Sequence, residues 1–251
     1  MAAYFVSDVH LQNDNDPHAR VFVRFLGELL EKKDDVPQQL FLVGDIFDLW
    51  VSDHHYFQLK FAKIIEQIKK LILAGIEVHY FEGNHDLYLE RFWRDQIGVK
   101  VYTGPQTFNL YSRRVRVEHG DLMNPDDRGY IFLKKVLHLK SVRWLAENLP
   151  SVVIQWVGER ASRASRTYTS TAKELKNEQI RSLIHRHVEC IGQSEAFDVI
   201  VTGHVHLRDE ARIKLSSRDV QSVNLGAWFE RPMVFVISEN RMEFVEADRL
   251  T

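Results

Sequence analysis

Apolar positions in the first hundred residues follow two alternating periods. Tyr4-Phe5-Val6 is a short apolar run of the kind a buried strand produces, closed by Ser7. Asp16-Pro17 then supplies a helix N-cap with proline at the first helical position, and Phe22, Phe25, Leu26, Leu29 and Leu30 recur at helical spacing as far as Lys33. Leu40-Phe41-Leu42-Val43 forms a second buried strand that stops at Gly44. The unit repeats with Phe61, Ile64, Ile65, Ile68 and Ile72 on one helical face, Gly75 as its stop, and a strand from Ile76 to Phe81 ending at Gly83. Strand-helix-strand units of this length predict a parallel sheet.

The pattern then changes. Thr107 to Glu118 alternates as a hairpin, with Phe108, Leu110, Val115 and Val117 around Ser112-Arg113. Residues 128–190 carry almost no strand signal and read as successive helices broken at Pro150, Gly158 and the Ser/Thr-rich run Ser162 to Thr171. They predict a helical cap, approximately 123–190, inserted into a single domain spanning 1–251. Strand signal returns at Val199–Val201, Ala211–Leu215, Val220–Leu225, Met233–Ile237 and Met242–Val245, without room for helices between them. A second, mostly antiparallel sheet is expected from these strands.

Composition narrows the function classes. With 251 residues, 45% hydrophobic and 27% charged, the chain can bury a large core. A net charge of -2 offers no global reason to bind a polyanion, so no nucleic acid partner is expected. The single cysteine, Cys190, cannot form an internal disulfide, and no basic, apolar leader precedes Tyr4, which together predict a cytoplasmic protein. No apolar run approaches the length of a membrane span.

Five short motifs fall at the ends of predicted strands: Asp8-Val9-His10, Gly44-Asp45-Ile46-Phe47-Asp48, Gly83-Asn84-His85-Asp86, His119-Gly120-Asp121 and Gly203-His204-Val205-His206. Strand C-termini of an open α/β sheet converge on one crevice, so residues distant in sequence can meet there. Carboxylate, imidazole and amide donors without a thiolate suit divalent metals used in catalysis. Asp8, His10, Asp45, Asn84, His119, His204 and His206 exceed the needs of one ion and suffice for two. Two ions about 3.5–4 Å apart need a bridging carboxylate and can clamp a phosphoryl group, and Asp45 is the candidate bridge. Taken alone, an Asp-x-His pair is more often a strand-end hydrogen-bonding pair; five such motifs in order change that reading.

Together the motifs resemble the signature of the calcineurin-like metallophosphoesterases, D-x-H, G-D-x-x-D, G-N-H-[DE], H-G-D and G-H-x-H, with every position filled. The resemblance implies an α/β fold built on a two-sheet β-sandwich flanked by helices. It further implies that Asp8, His10, Asp45 and His206 hold one divalent ion and that Asp45, Asn84, His119 and His204 hold a second. Manganese is the family expectation, although iron, zinc and nickel suit the same donors. Asp86 resembles a partner that orients a neighbouring histidine, with a plain turn role as the alternative. His18, His54, His55, His79, His138, His185 and His187 lack motif context and read as surface or cap residues rather than ligands.

Three further stretches resemble the UDP-2,3-diacylglucosamine diphosphatases of lipid A biosynthesis. They are Asp45-Ile46-Phe47-Asp48-Leu49-Trp50, the run from His119-Gly120-Asp121 through Asp126-Asp127 to Gly129-Tyr130, and Leu225-Gly226-Ala227-Trp228. That resemblance implies water attack on the α-phosphorus, with UMP and an acyl sugar 1-phosphate as products, by an enzyme peripheral to the cytoplasmic face of the inner membrane. It assigns catalytic roles to Asp45, Asn84, His85 and His204, and substrate contacts to Asn84, His85, Asp127, Arg163, Arg166, Lys173 and His204. At His85 the subgroup carries arginine and the wider family histidine; an imidazole there can protonate a leaving oxygen or stabilise developing charge.

Cap composition bears on the substrate independently. Met123 to Lys176 holds ten Lys and Arg against five Asp and Glu, which leaves -7 on the remainder of a chain whose total is -2. A cationic insert rich in Phe132, Leu133, Val136, Leu137, Trp144, Leu145, Val152, Val153, Ile154 and Trp156 suits a diphosphate, an anionic membrane surface and acyl chains. Packing between helices is the plainer role for most of these side chains. The alternatives are a phosphoesterase for a soluble ester or nucleotide, and a non-catalytic scaffold, although scaffolds usually lose ligands and here all are present.

Overall fold

In β1 (Ala2–Val6) Ala3 and Phe5 face one way and Tyr4 and Val6 the other, and all four are buried. A strand covered on both faces needs an unbroken apolar run rather than alternation, which is what the sequence carries. The computed structural model describes residues 2–31, 38–158, 160, 177–216 and 218–248. β1 pairs in parallel with β2 (Gln39–Val43), which pairs with β4 (Glu77–Phe81), followed by β6 (Lys100–Tyr102). On its other edge β1 takes the antiparallel β12 (Met233–Ser238) and then β13 (Met242–Glu246).

The second sheet has the order β10 (Asp209–Lys214), β11 (Asp219–Asn224), β9 (Val199–Thr202), β8 (Arg113–Val117), β7 (Gln106–Leu110). Between the sheets lie Phe5, Phe41, Val43 and Phe81 from the first and Val115, Val117, Val199, Val201 and Val223 from the second. Phe5 and Phe41 stack there with centroids 4.5 Å apart. α1 (Pro17–Glu31) and α3 (Ala62–Leu73) cover the outer face of the first sheet, preceded in α3's case by the short α2 (His55–Lys60). A π-helix over Glu90–Ile97 joins them. α4 (Arg128–Leu137), α5 (Lys140–Asn148) and α6, described over 151–158, follow β8. α7 (Asn177–Ser194), the last helix of the segment expected to form the cap, lays Val188 on Ile200, Ile213 and Val220 of the second sheet.

The expected boundaries of α1 and α3 have visible causes. Asp16 Oδ1 accepts from His18 N at 2.8 Å, and Gly75, at φ +85°, stands just past the end of α3. Two expectations need correction. β12 and β13 join the first sheet, and the second is evenly mixed, with antiparallel β7·β8 and β10·β11 but parallel β8·β9 and β9·β11. The cause is that β10 takes the outer edge, so β11 returns beside β9 in the same direction. His54 and His79 are buried rather than superficial: His79 stacks between Phe41 and Tyr102, and His54 Nε2 meets the Ala146 carbonyl at 2.7 Å.

Two aromatic anchors fix the loops that matter next. Phe47 and Trp50, after β2, pack into a cluster with Phe61 and Trp93, at 4.3 Å for Phe47–Phe61 and 5.1 Å for Trp50–Trp93. Trp228, in the loop from β11 to β12, sits edge-on to Phe22 at 5.6 Å and donates its backbone N–H to the Asp8 carbonyl at 3.2 Å.

Candidate metal centre

Five strand ends deliver the motifs to one place. β1 leads to Asp8 and His10, β2 to Asp45, β4 to Asn84 and His85, β8 to His119, and β9 to His204 and His206. The side chains fall into three overlapping groups whose donor atoms lie within 4.8 Å of one another: Asp8, His10 and His206; His10, Asp45 and His85; and Asp45, His119 and His204.

Asp8 Oδ1 lies 3.4 Å from His206 Nε2, and His10 Nε2 meets His206 Nε2 at 3.2 Å. On the other side, Asn84 Oδ1 receives His204 Nδ1 at 3.0 Å and His119 Nε2 at 3.2 Å. Asp45 stands between. His85 N donates to its Oδ1 at 2.9 Å, and Oδ2 lies 3.5 Å from His119 Nε2 and 3.8 Å from His10 Nε2. One oxygen therefore faces both groups. His119 Nδ1 donates to the Val43 carbonyl at 2.9 Å, which fixes its tautomer and leaves Nε2 facing the cluster, as metal-binding histidines require.

The electrostatics are those of a cation site. Burial opposes charge on His119, but Asp45, with help from Asp8 and Asp121, overrides it and holds the imidazole up at about 10. Burial likewise opposes charge on His206, and its hydrogen bond to Asp8 raises it nonetheless. Burial presses His10 and His204 down to about 4. Against the same burial, Asp45 is held well below the usual carboxylate range by His119 and His85, and Asp8 below it by His206. Each of the two buried carboxylates thus favours the charged form of one imidazole, Asp45 of His119 and Asp8 of His206, while adjacent imidazoles meet nitrogen to nitrogen. Oxygen and nitrogen donors converging around a shared carboxylate fit divalent ions.

The backbone is bent to make this possible. Asp8, His10, Asp45, His204 and His206 all have φ between +51° and +70°, a left-handed region costly for residues with a Cβ. They are five of the eight such non-glycine residues among those described, and strain of this kind gathers at functional sites. Two motif glycines are dictated by close approach. A Cβ on Gly44 would strike the His119 ring, and one on Gly203 would lie 2.5 Å from Asp8 Oδ2.

The remaining site residues divide. His85 comes edge-on to His10 at 4.9 Å, with Nδ1 on the Asp48 carbonyl at 2.8 Å, so Nδ1 carries the proton of the neutral ring and Nε2 is its basic nitrogen. Asp86 does not orient a histidine: its carboxylate accepts from Ile46 N, Phe47 N and the Tyr80 hydroxyl. Asp127 caps α4, accepting from Tyr130 N at 2.9 Å. Arg163, Arg166 and Lys173 lie outside the described residues.

Three neighbours escaped the sequence reading as site residues. The Tyr130 ring stands 6.1 Å from His204 with its hydroxyl on Asp121; Lys134 Nζ reaches Asp121 at 2.6 Å; and Phe229, 37% exposed, lies edge-on to His206 at 5.5 Å. Tyr130 closes one of the quoted motif runs and Phe229 directly follows another, a signal that could have found them.

Residues 1–208 match the calcineurin-like phosphoesterase family model. The chain belongs to that family. This phosphoesterase is a metal-dependent hydrolase of phosphoesters with the family's two-sheet α/β fold. It is 28% identical over 247 residues to a UDP-2,3-diacylglucosamine hydrolase of Aeromonas salmonicida (strain A449), covering 97% of this chain and 93% of that one. It is also 28% identical over 243 residues to the enzyme of the same name from Histophilus somni (strain 2336), covering 96% and 98%. Among solved structures, an archaeal phosphodiesterase is similar at 14% identity and a TM-score of 0.46, covering 98% of each chain.

Proposed function

We propose that the protein hydrolyses the pyrophosphate bond of UDP-2,3-diacylglucosamine to UMP and 2,3-diacylglucosamine 1-phosphate at a centre of two divalent ions, manganese by expectation. The observation that carries this reading is the shared oxygen: Asp45 Oδ2 faces both donor groups, and α4, whose Tyr130 ring lies 6.1 Å from His204, carries the exposed Phe132 and Leu133. In this reading Asp8, His10, Asp45 and His206 hold one ion and Asp45, Asn84, His119 and His204 the other. The ions supply Lewis acidity towards phosphoryl oxygens and a water-derived nucleophile at neutral pH.

The chain's own residues do the rest. Asn84 and His204 border both an ion position and the phosphoryl group, and His85, once Nε2 has taken up a proton, can pass it or its positive charge to the departing oxygen. Asp127, Arg163, Arg166 and Lys173 belong to the sugar and diphosphate contacts. The single domain then carries residues 123–190 as its cap.

Support for a lipid substrate comes from α4 to α6. Phe132, Trp144 and Trp156 are 69%, 64% and 60% exposed, and Leu133, Leu139, Leu145, Val152, Val153 and Val157 are exposed beside them. Apolar exposure on this scale marks an interaction surface. It fits acyl chains and peripheral contact with the cytoplasmic face of the inner membrane. No helix among the described residues is long and apolar enough to cross a membrane. Full-length similarity to hydrolases named for this substrate supports the same choice.

The test is turnover by the Mn²⁺-loaded protein on UDP-2,3-diacylglucosamine in detergent micelles against p-nitrophenyl phosphate esters, with Asp45→Ala as control. Preference for the diacyl nucleotide with UMP released is the expected result. Activity on soluble esters alone would keep the metal chemistry and discard the lipid substrate.

A further inference from the structure

The peptide run that carries Asp45 is held along both edges. On one edge the carbonyls of Gly44, Asp45 and Ile46 accept from Asp8 N at 3.2 Å, His10 N at 3.0 Å and Leu11 N at 3.0 Å. On the other, the N–H groups of Ile46 and Phe47 leave the sheets and donate to the Asp86 carboxylate, at 2.7 Å to Oδ2 and 3.1 Å to Oδ1. The Tyr80 hydroxyl, from β4, donates to the same Oδ2 at 2.8 Å.

Asp86 and Tyr80 are completely buried. Among the described residues no lysine or arginine pairs with this carboxylate. A buried carboxylate is costly unless hydrogen bonds satisfy it, and this one spends its acceptor capacity on the two peptides that follow Asp45. Asp86 also pairs with Trp50 in the short parallel ribbon β3 (Trp50–Val51) with β5 (Asp86–Leu87), so its own backbone is tied to the loop it holds. Asp45 sits at φ +53°, a conformation that persists only where its surroundings over-determine it.

We propose that Asp86, oriented by Tyr80, is the positioning residue that sets the backbone of Asp45 and thereby aims Oδ2 between the two donor groups. A rotation of the Ile46 peptide would turn that oxygen away from either His119 or His10, because both lie within 3.8 Å of it. This inference rests on Asp45 being the shared ligand.

The experiment titrates metal-free protein with Mn²⁺ alone, reading unbound Mn²⁺ by electron paramagnetic resonance, for wild type, Tyr80→Phe, Asp86→Asn, Asp45→Asn and a core control, Ile68→Ala. Ile68 is buried on α3 against the first sheet and belongs to none of the three donor groups. Asp86→Asn sets an amide donor against a peptide donor and should weaken Mn²⁺ binding about 10- to 100-fold. Tyr80→Phe removes one hydroxyl and should weaken it about 2- to 10-fold. The Ile68→Ala protein, less stable overall, should keep wild-type affinity, which a merely structural role for Asp86 would not predict. Turnover should fall in kcat with KM little changed.

Wild-type affinity in Asp86→Asn alongside its loss in Asp45→Asn would overturn the positioning role alone. Wild-type affinity in Asp45→Asn would overturn the shared-ligand reading beneath it. Should Asp86→Asn fail to fold, Tyr80→Phe decides, and unchanged affinity there refutes the proposal.

Discussion

Metal uptake should expel protons in a number the structure sets. In the metal-free protein His119 titrates at about 10, because Asp45 and its neighbours outweigh burial. At pH 8 the ring is therefore almost wholly protonated, and a cation binding Nε2 must displace that proton at a cost of about 2.7 kcal/mol, at 1.36 kcal/mol per pH unit. His206 is raised as well, by Asp8, whereas His10 and His204, at about 4, are already neutral and contribute none. Full loading at pH 8 should release at least about one proton, and apparent affinity should rise up to about tenfold per pH unit between 7 and 9.

Calorimetric titration with Mn²⁺ in buffers of different ionisation enthalpy reads the proton count as a slope. His119→Asn should lose about one proton of release. The same shift dictates how chelated protein responds to pH. A histidine raised in the folded state contributes stability that is fully present below its unfolded value near 6.5, and that contribution disappears as pH rises through about 10. Chelated protein should thus lose this stabilisation between pH 6.5 and 10. Zero proton release at pH 8, or affinity flat between pH 7 and 9, would refute the electrostatic account of the cluster.

Other consequences are open to measurement. Alanine at Asp45 or His119 should lower turnover by more than about 100-fold while leaving the circular dichroism spectrum unchanged; near wild-type rates would defeat the site assignment. Gly203→Ala places a methyl 2.5 Å from Asp8 Oδ2 and 2.6 Å from Ser7 Oγ and should cost about 1–3 kcal/mol in denaturant unfolding, with metal affinity falling as well. Trp228→Ala, which empties a buried site against Phe22 and Phe25, should cost about 3–5 kcal/mol and shift the thermal midpoint accordingly. Trp144→Glu with Trp156→Glu alters two exposed rings, so stability should change by only about 0.5 kcal/mol per site. Binding to anionic vesicles and turnover of the diacyl substrate should drop, while hydrolysis of p-nitrophenyl esters should not.

Local signals proved legible wherever one residue's neighbours in sequence decide its structure. The parallel core β1, β2 and β4, the hairpin β7–β8, the Asp16 cap and the Gly75 stop all follow from short-range pattern. The gathering of five motifs at strand C-termini was legible too, although the strands belong to two sheets rather than to the single open sheet from which the convergence was argued. Partner choice was not legible: Met233–Ser238 reads as a strand from its own residues, but nothing in them says that it pairs with β1 rather than with β11. His79 was misplaced for a related reason, since its burial depends on Phe41 and Tyr102, aligned only by sheet register. Asp86 shows the limit most clearly. Its motif drew attention to a histidine, whereas its partners are two peptide N–H groups and a phenol that pattern alone does not bring together.

The donors come from both sheets: Asp8, His10, Asp45 and Asn84 follow strands of one, His119, His204 and His206 strands of the other. An ion held there would act as a rivet through the sandwich. Sliding one sheet against the other would have to break it. Amide hydrogens of β2 and β9, which share no hydrogen bond, should therefore slow their exchange together when metal is added and speed up together when it is withdrawn. Because its two halves lie nearly two hundred residues apart, the rivet also closes only after both sheets have docked, making metal capture a late event in folding.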